Sequence, residues 1–280
     1  FFHKKPTGKH TIYLNNSIIS ELKGFEAVKT AFEKETNCTI NEQGNEEFSL
    51  FETSCIGLND QEPAALINFM PFTDLTPKKV KLIIQKIRNG ENVKEFASKV
   101  KSKIQYIPKE DKAIIFRPYE MGKSIKIGLK HSPQEIVDKI SKSKLLGLGG
   151  AFFPVGYKWQ SCKNNEDDAK YIICNADEGE PGTFKDRALF QYLPGLLYEG
   201  MILAGYATGA KEGIIYLRAE YQYLLPELEK LLETFYENNL LGENILGVNG
   251  FDFNLRYQLG AGSYVCGAAS ALIESMEGRR

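Results

Sequence analysis

The chain has 280 residues, 42% of them hydrophobic and 25% charged, ordinary values for a soluble globular protein of one large or two average domains. Lys and Arg number 35 against 36 Asp and Glu, a net charge of −1, which leaves no basic field to hold nucleic acid or an anionic membrane. The most apolar run, Leu193 to Ala210, is cut by Glu199 and four glycines and reads as a buried helix rather than a membrane span.

In chain order, Thr11 to Leu14 reads as a short strand. Gly24 to Thr36 has helical spacing through Phe25, Val28, Ala31 and Phe32. Phe48 to Thr53 and Ala64 to Phe69 read as strands. Thr76 is a predicted N-cap with Pro77 at the first helical position, and Val80, Ile83, Ile84 and Ile87 share one face until Asn89-Gly90 stops the helix. This mixture fits a small thioredoxin-like unit over residues 1–91. The Lys-rich, weakly patterned stretch 92–112 reads as a solvated linker, and a second unit over 113–280 opens with a strand at Ala113 to Phe116.

Ser132-Pro133-Gln134-Glu135 is a capping box, and the helix it starts, Pro133 to Ser143, runs into the glycine-rich segment Gly147 to Trp159. A strand at Tyr171 to Cys174 follows, with Cys174 expected to be buried at its end. Further expected elements are a helix at Leu196 to Ala207, a strand at Gly213 to Leu217, an amphipathic helix at Leu225 to Tyr236 and a last helix at Ala268 to Met276. The alternating aromatics from Tyr216 to Tyr223 read as strand-end packing. His3, His10 and His131 are isolated and read as surface or packing residues. The five cysteines are odd in number, widely spaced and without a CxxC, so they read as free cytosolic thiols and give no stand-alone thioredoxin-type redox motif. The chain opens on Phe1-Phe2, carries no charged-then-apolar leader and stops just past a helical pattern, so both ends read as cut from a longer protein.

The chemistry concentrates in YIICNADEGEPGTFKDR, Tyr171 to Arg187. Asn175, Asp177, Glu178 and Glu180 crowd just past the end of an apolar strand, where open α/β sheets bind ligands. Two glycine-rich segments flank it, GLGGAFFPVGYKW and GAGSYVCG. Gly147, Gly149 and Gly150 let backbone N–H groups approach an anion, with Lys158 near in sequence. On spacing alone a phosphate nest and a plain helix–loop connection both stay open. Neither segment is a GxGxxG, which argues against a common dinucleotide-binding dehydrogenase and leaves a flavin site open.

SKLLGLGGAFFPVGYKW, CNADEGEPGTFKDR, IIYLRAEY and GAGSYVCGAASALIES, in this order, resemble the family of flavin-bearing NADH-oxidising subunits, which includes the flavoprotein subunit of complex I and the diaphorase subunit of NAD-linked soluble [NiFe] hydrogenase. FFHKKPTGKHTIYLNNSIISELKGFEAV and FETSCIGLNDQEPAALI resemble the thioredoxin-like domain fused ahead of the flavin domain in the hydrogenase diaphorase. The resemblance implies a thioredoxin-like domain followed by an α/β FMN-binding domain of the complex I flavoprotein type. It implies FMN as cofactor, NAD(H) as substrate, iron–sulfur and hydrogenase subunits as partners, a cytoplasmic location, and neither nucleic-acid binding nor direct membrane insertion.

Carried onto this chain, the resemblance puts Gly147, Gly149, Gly150 and Lys158 against the FMN. Asn175 and Asp177 would bond its ring or ribityl chain, Phe153 would stack on the nucleotide, and Gly267 would admit the cofactor to the backbone. Glu178, Glu180 and Tyr264 would line the space where nicotinamide meets flavin, with the two glutamates in the catalytic role.

The chain departs from the family pattern where Leu146 and Leu148 replace arginines, Phe152 replaces a glycine, and Ala268 and Ala269 replace glutamates. At the positions matching the four [2Fe–2S] cysteines stand Asn15, Ser20, Cys55 and Asn59, so this unit is expected to be metal-free. A [4Fe–4S] cluster is expected only in a C-terminal region outside the chain. These departures motivate the alternative of a non-catalytic interaction subunit with a decayed cofactor site.

Overall fold

The computed structural model describes residues 6–42, 44–100, 118–148, 151–167, 169–260 and 264–279. The strand expected at Ala113 to Phe116 and residues 101–112 of the expected linker lie outside them.

The first sheet has the order β2-β1-β3-β4, from β1 (His10–Asn15), β2 (Phe48–Thr53), β3 (Ala65–Ile67) and β4 (Met70–Phe72). The short helix α1 (Ile18–Leu22) and the longer α2 (Phe25–Thr36) cross from β1 to its parallel partner β2, while β3 and β4 run antiparallel. The single strand expected at Ala64 to Phe69 is therefore a hairpin. Asn68 and Phe69 both take positive φ, 50° and 61°, and reverse the chain as a two-residue turn does. Phe at such a position carries none of the usual Asn-Gly signal, which is why the turn was not legible.

Because side chains alternate across a strand, Ile12 and Leu14 face one way and Tyr13 the other. The first face packs with Phe25, Val28 and Phe32 of α2 and with Val80, Ile84 and Ile87 of α3 (Pro77–Arg88). Thr76 caps α3 by accepting from the Lys79 amide at 3.3 Å. The next helix, α4 (Val93–Phe96), adds Val93 and Phe96 to the same core, so packed structure continues past residue 91. The second face holds Tyr13, Ile56, Leu58 and Leu66.

Helix α5 (Lys123–Gly128) explains the charge in the apolar run. Glu199 is buried, and its carboxylate accepts from the Gly122 and Ser124 amides at 2.7 Å and from the Tyr119 hydroxyl at 2.9 Å. It thus satisfies N–H groups at a helix start that have no partner within the helix. Helix α6 (Pro133–Ser143) has the expected capping box, with both reciprocal bonds formed, and α7 (Val155–Asn164) follows the first glycine-rich segment.

The second sheet is fully parallel in the order β5-β6-β7, from β5 (Tyr171–Ala176), β6 (Glu212–Leu217) and β7 (Asn254–Leu259). The crossovers are α8 (Lys185–Tyr192) with α9 (Pro194–Thr208), then α10 (Leu225–Glu237). One face packs Ala176, Ile215, Leu217 and Leu255 against Tyr198, Ile202 and Phe235. The other is covered at its carboxyl end by α11 (Ala269–Met276), through Tyr216, Cys266 and Leu272. The aromatics after β6 lie beyond the strand: Ala219–Leu224 forms a 3-10 helix, whose Tyr221 is buried in the hydrophobic core. Cys174 is only partly buried as a residue, although burial pushes its thiol up to about 12.

Candidate functional site

A hollow of about 400 Å³ opens at the carboxyl ends of the parallel strands, where open α/β sheets place ligands. Asp177, Gly179 and Pro181 after β5, Arg218 and Glu220 after β6, and Tyr264 after β7 line it. Thr53, at the end of β2 of the first sheet, and Ser54 and Cys55 just past it form the facing wall.

The acidic run and the second glycine-rich segment meet here. The Asn175 side-chain amide donates to the Cys266 carbonyl at 2.8 Å, and its oxygen accepts from the Asp177 amide at 3.2 Å. Gly260 is required by proximity: a Cβ there would lie 2.9 Å from Asp177 Oδ1 and 2.8 Å from the Tyr216 ring. Asp177 is buried, and its Oδ1 has no hydrogen-bond partner among the described residues. Burial pushes its carboxyl up to about 6, against the pull of Arg218.

Glu178 is placed elsewhere. Its backbone has φ 39°, and its buried carboxylate accepts from the Asp186 amide at 2.7 Å and the Arg187 amide at 3.3 Å, at the start of α8. The Tyr221 hydroxyl also donates to it. All this occupies the carboxylate in holding the loop to α8, away from the hollow's lining. Glu180 is exposed, and its carbonyl accepts from the Thr183 amide and hydroxyl.

The described flanks of the first glycine-rich segment pair with each other. Gly147 donates to the Phe153 carbonyl at 2.9 Å, Val155 donates to the Leu145 carbonyl at 2.9 Å, and Leu146 bridges Pro154. Lys158 Nζ lies 5.5 Å from the centre of the Phe153 ring. None of Gly147, Phe153 and Lys158 lines the hollow. Gly149 and Gly150 fall outside the described residues. Phe152 takes φ 51° and is 61% exposed, turned to solvent. Gly267 has open space where a Cβ would stand.

Several residues of the site were missed in the sequence. Arg218 Nη1 donates to the Glu178 carbonyl at 2.9 Å, and its Nη2 reaches the Cys55 carbonyl and Glu220. One side chain thus ties the acidic loop to the first unit. Arg187, with no exposed surface, pairs with Asp60. Gly57 (φ 74°) admits Tyr221 so closely that a Cβ would collide with the phenol. The legible signal was RAEY at the end of an apolar strand, a charge cluster placed like the acidic run.

The four positions matched to cluster ligands do gather. Asn15 Nδ2 reaches Ser20 Oγ at 3.3 Å, the Ile56 amide donates to Asn15 Oδ1 at 2.9 Å, and Asn59 Nδ2 donates to Cys55 Sγ at 3.2 Å. Glu62, buried, binds Asn15 and the Ala64 amide. An amide, a hydroxyl, one thiol and another amide do not fit a [2Fe–2S] cluster, which takes four thiolates. Among the described residues no three His, Cys, Asp or Glu side chains are arranged to hold a metal ion, and no helix is long and apolar enough to cross a membrane.

Residues 140–280 match the Nuo51 FMN-binding domain family, and residues 1–88 match the thioredoxin-like [2Fe-2S] ferredoxin family. The chain is 44% identical to the alpha subunit of the NAD-reducing hydrogenase HoxS of Cupriavidus necator, over 100% of this chain and 48% of that protein. It is 49% identical to a subunit of the NADH-quinone oxidoreductase of Aquifex aeolicus, over 54% of this chain and 35% of that one. The crystal structure of an NAD+-reducing [NiFe]-hydrogenase in its H2-reduced state superposes with a TM-score of 0.79 at 34% identity, covering 99% of this chain and 47% of that one. The chain therefore spans about half the length of its most extensive matches. With its second half matched from residue 140 to 280, the chain belongs to the Nuo51 FMN-binding domain family.

Proposed function

We propose that the chain is the FMN-bearing part of an NADH-oxidising diaphorase, exchanging electrons between NAD(H) and iron–sulfur partners of a soluble hydrogenase or complex I-like assembly in the cytoplasm. The observation that carries this reading is the convergence of Asp177, Gly179, Arg218 and Tyr264 on one hollow at the strand ends, with Asn175 and Gly260 packed beside them, in a chain of this family.

The residues present fit a flavin. Asp177 Oδ1 is a buried acceptor with no partner among the described residues, suited to an N–H or O–H donor of the ligand, and Gly267 leaves the backbone open to approach. In this reading Asn175 and Asp177 hold the ring or ribityl chain, and Tyr264 forms the outer wall. Gly147, Gly149, Gly150 and Lys158 hold the phosphate, and Phe153 offers the stacking face. FMN, when bound, supplies hydride acceptance from NADH and release of single electrons. The chain's own residues bind, orient and shield. Glu178 acts by holding the acidic loop on α8 and Tyr221, and Glu180, at the exposed rim, faces the incoming nicotinamide. A [4Fe–4S] cluster belongs to a region beyond this chain.

Phe152, Ala268 and Ala269, in place of a glycine and two carboxylates, favour a second reading, an interaction subunit with a decayed cofactor site. NADH–ferricyanide reduction with added FMN separates the two. The diaphorase reading predicts activity in the chain or in a version extended at the C-terminus. If both are colourless and inactive while Phe152→Gly with Ala268→Glu and Ala269→Glu restores flavin binding, the second reading holds.

A further inference from the structure

The hollow's charge selects which end of a nucleotide it takes. Its ionisable lining consists of the carboxyls of Asp177 and Glu220, the guanidinium of Arg218 and the Cys55 thiol and Tyr264 phenol. The charge of Arg218 is offset by Glu220 at 3.0 Å and its two Nη atoms donate to carbonyls, which leaves only its Nε without a partner among the described residues. A phosphate brought here would face a carboxylate with no free cation among the described lining residues to offset it, in a partly desolvated space where like charges repel strongly. Hydroxyl and amide groups would find partners instead. Three of the described residues' buried, unpartnered polar atoms belong to this lining: Asp177 Oδ1, Arg218 Nε and Glu220 Oε2. Such atoms call for a ligand or water. The opposite wall adds the hydroxyls of Thr53 and Ser54.

We infer that the thioredoxin-like unit, through Thr53, Ser54 and Cys55, is one wall of the flavin site, facing its uncharged ring-and-ribityl end. This rests on the flavin reading above and adds to it. A unit without cluster ligands keeps a role in binding the cofactor, held in place by Arg218 on the Cys55 carbonyl, by the Gly182 amide on Cys55 Sγ at 3.4 Å, and by the Arg187–Asp60 pair. The phosphate lies outside this hollow, by Gly147 and by Lys158 on α7.

Ser54 is exposed, so Ser54→Trp projects bulk into the hollow without disturbing the core. Riboflavin and FMN are titrated separately into the unaltered chain and the variant, with flavin fluorescence as the readout and thermal unfolding as the control for folding. The inference expects both flavins to lose affinity by the same factor, about tenfold or more, with an unchanged unfolding temperature. Undiminished binding of both flavins to Ser54→Trp overturns it, as does loss confined to FMN. A variant that unfolds at a clearly lower temperature is replaced by Thr53→Val with Ser54→Val, for which a matched loss of both flavins supports the inference and unchanged affinity overturns it. Failure of the unaltered chain to bind either flavin removes the flavin reading and this inference together, whereas binding indifferent to the wall removes this inference alone.

Discussion

The Arg187 guanidinium, on α8, pairs with the Asp60 carboxylate across 127 residues of sequence, and both side chains are buried. Breaking a buried pair from one side leaves the other charge stranded, at a cost of about 3–5 kcal/mol. Arg187→Met is expected to lower unfolding stability by that order, and Arg187→Met with Asp60→Leu to recover a large part of it. Denaturant unfolding of the two singles and the double gives the cycle; additive losses would show that the pair carries no coupling.

Glu199 makes an analogous prediction within the second unit. Glu199→Leu leaves the Gly122 and Ser124 amides and the Tyr119 hydroxyl without their acceptor. A loss on the order of 3 kcal/mol or more is expected, and hydrogen exchange should rise first around α5. Exchange that rises uniformly through the chain would contradict the local cause.

Stability should fall as pH rises from about 4 to about 7. Burial pushes Glu62 up to about 7 and Asp177 up to about 6, so in this window the folded chain holds protons that the unfolded chain has released. Their contribution is full below the ordinary carboxylate range and lost as pH passes the raised values, on the order of 2–3 kcal/mol for each group. Glu62→Gln should flatten the upper part of the profile and Asp177→Asn the lower part, as read by urea unfolding at a series of pH values. A wild-type profile that rises over this range would carry the wrong sign.

Much of the architecture was legible because periodicity and capping agreed. Thr76-Pro77 and the Ser132–Glu135 box start helices where expected, and the acidic run leaves a strand end as read. What escaped was non-local. Glu199 looked like a break in an apolar helix, and only the fold shows it meeting α5, more than seventy residues away. Arg218 and Asp60 have no local pattern that names their partners. The Asn68-Phe69 turn has a residue type that disfavours its own φ. Glu178 was read from its place in a motif as lining the nicotinamide space; the structure adds a positive φ and two α8 amides donating to its carboxylate, contacts that one-dimensional spacing does not carry.

That placement separates a structural Glu178 from a chemical one. Glu178→Ala removes the acceptor of two amides and the Tyr221 hydroxyl, and a loss of about 2–4 kcal/mol is expected. Glu178→Gln keeps an acceptor and should recover most of the stability. NADH–ferricyanide activity should follow the folded fraction in both variants. A Glu178→Gln chain that is fully folded and inactive would show instead that the charge itself takes part in the reaction.

The central claim is a cradle for FMN at the strand ends, and fluorescence titration of FMN with the unaltered chain tests it most directly. The account predicts saturable quenching that ends at one flavin per chain. Fluorescence that stays that of free FMN through an excess of folded protein would contradict it.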